Sequence, residues 1–498
     1  MAPASAPLKF ACIAFLLGAF TLQAHVGSPD VFFEGNAGPY PVAIAIRPPN
    51  VIPGIAEVEI RTPMEGIASI HVVPFPLVGV GSKYPPTADT AIRSNVAPHL
   101  YTSAVWLMAF GSYQVRVEID GVQGNGAISV PIPSIAREIK QMNPGLGWIL
   151  ALLMLLIFAG AVSIAGAAAR ESTLPEGESP NSARRRRSRL VMAATAFGIF
   201  AVLALGNWWW GVEASNYRAH IYKPLTMGAE IEKGLLHLRL TETKWALRAN
   251  LNDFLPDHGH LMHLFVVRMP ELDRIWHLHP DFVGSGEFVQ APPSLPAGRY
   301  KLFADVVHAS GFPETPVADL EVPTDLHGKP PAGDDAEGIS PPLSAFAPQR
   351  AVSPLRDGYK MVRLNAAGPL LAKQMQHLAF EVQDSSGHPV TDLEPYMGMA
   401  GHAEFLLADA SVFAHVHPSG TVPMAALGLT TESKSMESKG IAAHHHSMPH
   451  MQGNSLPAQL SFPFGFPKGG RYRMFIQIQR AGLPETACFD FNVRDRLQ

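Results

Sequence analysis

Two short stretches, RIWHLHPDF at 274–282 and VFAHVHPSG at 412–420, each contain His-x-His-Pro, pairing His277 with His279 and His415 with His417. In a β-strand, residues i and i+2 project from the same face with their bases about 7 Å apart, so both rings can turn toward one ion. Leu278 and Val416 then face the other way. A third imidazole precedes each pair at nearly the same distance, His263 being 14 residues before His277 and His402 being 13 before His415. Three neutral imidazoles make a donor set for copper, zinc or nickel. Proline after each pair removes an amide donor and suits a strand that ends there.

The two regions offer different additional donors. The first has His308 in FADVVHASG, where the second has Arg480, and it also has His258 and His260 in the turn PDHGHLMH. The second has Met397 and Met399 in YMGMAGH, and an insertion carrying Met424, Met436 and HHHSMPHMQ. Thioethers shift preference toward Cu(I). The chemistry thus predicts a first site of His263, His277, His279 and His308. The second is expected to use His402, His415 and His417 with Met397 or Met399. His71, His99, His220, His237, His327, His377 and His388 stand alone and read as ordinary surface or core residues. Cys488 alternates with apolar neighbours in ACFDFNV and reads as a small buried strand residue.

The likeness between the two regions extends beyond the histidines. LPAGRYKLFADVVHASGFPETPVADLEV at 295–322 parallels FPKGGRYRMFIQIQRAGLPETACFDFNV at 466–493, with Gly-Arg-Tyr and Pro-Glu-Thr in step. This is an internal repeat of one β unit. Period-two alternation in LHLRLTE, HLAFEVQD and YKLFADVV, broken by glycine and proline, predicts antiparallel strands in a small sandwich per copy. The first copy is expected over 220–323 and the second over 355–498, with an inserted loop at 424–458. A Pro/Gly linker at 324–354 would join them. Strand patterns in PVAIAIRP, IAEVEIRT and GSYQVRVEIDG predict a further sandwich over 25–142.

Three apolar runs anchor these domains. FACIAFLLGAF followed by TLQA reads as a secretory signal peptide over 1–24, which contains Cys12 and leaves His25 first after cleavage. An N-terminal histidine chelates Cu(II) through its amine and its ring, with Asp30 and Glu34 nearby as further candidates. Runs at 147–169 and 190–210 are each long enough to cross about 30 Å of hydrocarbon as a transmembrane helix. Between them, the loop at 170–189 holds Arg170, Arg184, Arg185, Arg186, Arg187 and Arg189, which the positive-inside rule assigns to the cytoplasm. Both large flanks then lie outside. Trp208, Trp209 and Trp210 suit the outer interface.

The fold class expected is mainly β: three extracytoplasmic Ig/cupredoxin-like β-sandwiches plus two transmembrane α-helices. With 16% charged residues and a net charge of −4, there is no basic field for nucleic acid. No nucleophile–base pairing, P-loop or dinucleotide fingerprint occurs.

YMGMAGHAEFLLAD and VFAHVHPSGTVPM together resemble the metal-handling domains of exported bacterial proteins with Gly-x-x-Gly-His and His-x-His-Pro. GSYQVRVEIDGVQGNGAISVPI is similar to YtkA-like/FixH-like Ig-type domains associated with copper proteins, and a mature His25 resembles CopC-type copper resistance proteins. The resemblance implies copper binding in the periplasm or at the cell surface from an anchor in the inner membrane. Buffering, delivery or resistance would be its purpose, and a cuproenzyme or copper transporter its partner. Zinc is the alternative ion. The competing readings are a metalloenzyme using a three-His site, and a structural or sensory module held together by histidine hydrogen bonds.

Overall fold

The computed structural model describes residues 29–245, 247, 250–365, 370–430 and 456–495. His25, the signal segment and the His/Met-rich part of the insertion lie outside them. The described chain is mostly β, built from several antiparallel sheets, with two long apolar helices.

Residues 31–134 form a five-stranded and a four-stranded sheet. Their alternating inward residues, among them Ile44, Val58, Ile60, Val72, Val117 and Val130, make one core. The chain then enters helix α1 (Pro144–Glu171) and returns through α2 (Ser182–His220). Both helices start on an asparagine cap: Asn143 Oδ1 accepts from the Gly145 amide and Asn181 Oδ1 from the Arg184 amide, at 2.8 and 2.9 Å. The helices touch where Ser188 Oγ–H donates to the Gly166 carbonyl at 2.7 Å. Apolar side chains such as Leu152, Leu156, Phe197 and Leu205 cover the outside, and both helices are long and apolar enough to cross a membrane. Helix α2 begins at Ser182, so Arg184–Arg187 and Arg189 occupy its first turns, ahead of the apolar run. Beyond the helices, Tyr222 N–H donates to the Ala136 carbonyl at 2.8 Å, closing the entrance and exit of the hairpin side by side.

The two copies of the repeat share one plan. In the first, strand Gly298–His308 pairs with His263–Met269, which pairs with Arg274–Leu278. In the second, Gly470–Arg480 pairs with His402–Leu407, which pairs with Phe413–Val416. Each copy backs this sheet with a four-stranded one over its own core.

A further apolar cluster joins the copies: Phe265, Val267, Ile275 and Phe303 of the first meet Leu406, Phe413 and Phe475 of the second. The Phe303 and Phe413 rings stack at 4.4 Å. Arg473, 1% exposed, fixes this interface by pairing with Asp490 and donating to the Leu272 and Pro341 carbonyls of the first copy and the linker. The segment read as a linker is largely structural. Its Ala336–Ile339 strand pairs with Arg274–Leu278, and its Glu337 carbonyl accepts from Thr486 Oγ1 at 3.1 Å. A polar, Pro/Gly-rich composition concealed this, because only two short stretches of it, Ala336–Ile339 and Val352–Pro354, enter sheets.

The first domain also docks on the second copy. Glu34 N–H donates to the Ser419 carbonyl and Thr421 N–H to the Phe32 carbonyl. Gly420 lies between them at φ +118°, where an added Cβ would sit 2.0 Å from the Phe32 oxygen. The Pro-Ser-Gly end of the second histidine motif is thereby the docking point.

Candidate metal centre

Among the described residues, two groups of three histidines have ligand nitrogens within 4.8 Å of one another: His263, His277 and His279, and His258, His402 and His417. The first is the triad expected of the first copy. The second is composite, because His258 comes from the first copy and His402 and His417 from the second.

Strand geometry explains the first group. His263 opens one strand, and His277 sits near the end of its neighbour with His279 two residues on. His263 Nδ1 lies 3.0 Å from His277 Nε2, and the His277 and His279 rings are 4.6 Å apart. The second copy repeats this, with His402 Nδ1 at 3.0 Å from His415 Nε2 and the His415 and His417 rings 4.8 Å apart. His258 reaches the second group from a tight turn, its ring 4.9 Å from His402 and 5.1 Å from His417. That turn, Asp257–His260, has its counterpart in Tyr396–Met399, where Met397 takes the place of His258; both central residues are left-handed, at φ 50° and 49°.

The outer nitrogen of each ring is anchored. His263 Nε2 faces the Asp257 carbonyl at 3.1 Å, His277 Nδ1 the Gln477 amide oxygen at 2.8 Å, and His279 Nδ1 the Asp335 carboxylate at 3.0 Å. In the second copy, His402 Nε2 faces the Tyr396 carbonyl and His417 Nδ1 the Val422 carbonyl, both at 3.3 Å, and His415 Nδ1 the Asp305 carboxylate at 3.4 Å. His258 donates to the Met397 carbonyl. An oxygen acceptor requires N–H on the nitrogen that faces it, so the Nε2 of His258, His279 and His417 keeps its lone pair, while His263 Nδ1 and His277 Nε2, and His402 Nδ1 and His415 Nε2, face each other at 3.0 Å. That is the outer-shell arrangement that orients metal-binding imidazoles. The Nε2 atoms of His258, His279 and His417 are buried with no hydrogen-bond partner.

The electrostatics agree. Burial pushes His279 and His417 down to about 3, and His263, His277, His402 and His415 well below the ordinary imidazole value. Neighbouring histidines add repulsion to this desolvation. The rings are therefore neutral at pH 7, the protonation state a metal requires.

A cavity of about 210 Å³ reaches His260, His263, His415 and His417, with Asp257 and Asp305 also on its wall. His260 stacks on His279 at 3.9 Å and pairs with Asp334 at 3.0 Å.

The structure places His308 outside both groups, between Asp253 at 2.8 Å and Glu314 at 2.9 Å. Arg480, its counterpart, pairs with Glu485 at 2.9 Å, and both glutamates belong to the repeated Pro-Glu-Thr. The position therefore carries a cation for a buried glutamate. Burial opposes the charge on His308, but its two carboxylate partners together raise its pKa. Met397 is buried beside Ala336 and Tyr396. Gln477, Asp334 and Asp335 were not legible as site residues, since each reaches the histidines from another copy or from the linker.

A domain of unknown function, DUF8832, matches residues 353–495, the second copy alone. No curated protein matches the chain. Among solved structures, the tetra-tandem repeat in the extending region of a large adhesion protein is 8% identical, covering 88% of this chain and 70% of that one, with a TM-score of 0.15. The BSP domain of a biofilm associated protein is 8% identical over 96% and 68%, TM-score 0.15. The ICAM-5 D1–D4 ectodomain fragment is 6% identical over 92% and 78%, TM-score 0.16. At these scores the likenesses carry no argument about function.

Proposed function

We propose that this is a membrane-anchored protein that binds copper on the outer side of the cytoplasmic membrane, for buffering, delivery or resistance. The observation that carries the reading is the pattern of anchored rings. Every histidine of both groups fixes one nitrogen on an oxygen and presents the other inward. Hydrogen bonding for structure alone has no need to leave buried Nε2 atoms unpartnered on His258, His279 and His417. The all-imidazole donor set favours copper or zinc over magnesium or calcium. The arginines at the start of α2 favour a cytoplasmic hairpin tip, and therefore outer domains on the periplasmic or extracellular side. The cavity supplies an entry path, and a cuproenzyme or copper transporter would be the client.

Metal analysis of the full chain in detergent, after exposure to copper and zinc in competition, tests this. Copper retained by the wild type and lost from a variant carrying His263→Ala, His277→Ala, His402→Ala and His417→Ala is the expected result; a protein that retains neither metal overturns it. A catalytic reading rests on the cavity reaching His263, His415 and His417. It predicts that azide perturbs the visible spectrum of the copper-loaded protein.

A further inference from the structure

The two histidine groups are not separate sites in space. Within each group the ring centroids are 4.6 to 5.2 Å apart. Between the copies, His263 lies 5.5 Å from His415, and His277 lies 5.7 Å from His415 and 6.4 Å from His402. His258 of the second group also lies 6.1 Å from His263 of the first, so the two groups adjoin both directly and through His415. The outer anchors are also exchanged: the strand of the second copy supplies Gln477 to His277, and the strand of the first supplies Asp305 to His415. Asp305 pairs in register with His263, and Gln477 with His402, so these are equivalent positions related by the duplication.

One departure from this equivalence is a buried carboxylate. Glu404 lies two residues after His402 on the same strand face and directly opposite His415 on the adjacent strand. Its counterpart in the first copy is Phe265, which stacks on His277 at 4.3 Å. Glu404 is 0% exposed, and neither carboxylate oxygen has a hydrogen-bond partner. A buried carboxylate without a partner is costly in a site where the same sheet position accepts phenylalanine. Its neighbours on that face include His402 and His415, with Phe475 opposite it on the other adjacent strand. Two cations held by adjoining groups of neutral rings repel each other, and a carboxylate beside them offsets that repulsion.

We propose that the two histidine groups form one two-ion centre shared by both copies, in which the buried Glu404 carboxylate balances the charge of the second cation. This rests on the copper-binding reading above. The ligand class is a pair of imidazole-preferring transition-metal ions.

The test is titration of the full chain in detergent with Cu(II), following bound copper and electron paramagnetic resonance together. The wild type should bind two ions, and the second should diminish the mononuclear signal through spin coupling instead of doubling it. Glu404→Gln should keep the first ion and weaken the second at least tenfold. Glu404→Leu should do the same while raising the melting temperature of the metal-free protein, which loss of a merely structural glutamate would not. Two ions with simply additive spectra, or a Glu404→Gln protein that binds the second ion as tightly as wild type, would overturn the shared centre. One ion per chain would also overturn it while leaving the copper-binding reading intact; no ion at all sinks both.

Discussion

Each imidazole of the centre depends on the oxygen behind it, and that dependence can be measured one residue at a time. Gln477→Ala removes the acceptor of His277 Nδ1 without touching an inward-facing nitrogen. Copper affinity by competition with a chelator should fall about 10- to 100-fold. His308 gives the opposite pattern. His308→Ala leaves Glu314 buried without one of its charged partners, at a cost of about 3 kcal/mol in denaturant unfolding, and leaves copper stoichiometry unchanged. His308→Arg, which copies Arg480, should recover most of that stability. The sequence already held this signal, because a position that alternates His and Arg ahead of the same Pro-Glu-Thr asks for positive charge. A reading centred on metal chemistry sees only the imidazole. His258 shows the reverse difficulty. Its turn is visible in PDHGHLMH, but nothing local says that its ring crosses into the other copy, because that contact exists only once the sheets have packed.

At the level of elements, the paired histidines were legible because a strand repeats every two residues and the duplication writes the pattern twice. The partners in the linker were not. Asp334 and Asp335 lie in a stretch whose composition reads as connection, and they reach His260 and His279 only through the short strand that follows them. The helix pair was legible from apolar length, but the start of α2 was not, because its arginines carry no apolar periodicity. Gly420 offers a direct check on element docking. Gly420→Ala places a Cβ against the Phe32 carbonyl at a backbone angle that side chains rarely adopt, and it should destabilise the protein by about 2 kcal/mol or more. Proteolysis between the first domain and the repeats should accelerate if that docking loosens, and an unchanged digestion pattern would count against it.

For the whole molecule, buried neutral histidines couple stability to pH. Unfolded histidines bind protons near pH 6.5, whereas folded His279 and His417 do so only near 3. The unfolded state therefore holds more protons between these values. Stability should be complete above about pH 6.5 and fall as the pH drops toward 3, by about 1.4 kcal/mol per pH unit for each such group. Metal deepens the effect, since protons compete with the ion for the same nitrogens. Adding a chelator at neutral pH should lower the melting temperature, by the equivalent of about 2.7 kcal/mol where free copper had stood at a hundredfold excess over its dissociation constant. Thermal unfolding with and without chelator, across pH 4 to 8, would show both trends or refute them.

The bridge between Ala136 and Ile221 brings the start and finish of the helical hairpin to one point. In evolutionary and engineering terms, the hairpin is then an insertion into a body that is otherwise continuous. A short flexible loop in place of residues 138–219 would spare the sheets, the linker strand and all six histidines of the two groups. The helical hairpin and the histidine groups can be lost, gained or exchanged independently, and a form of the same molecule without its two long apolar helices is one deletion away.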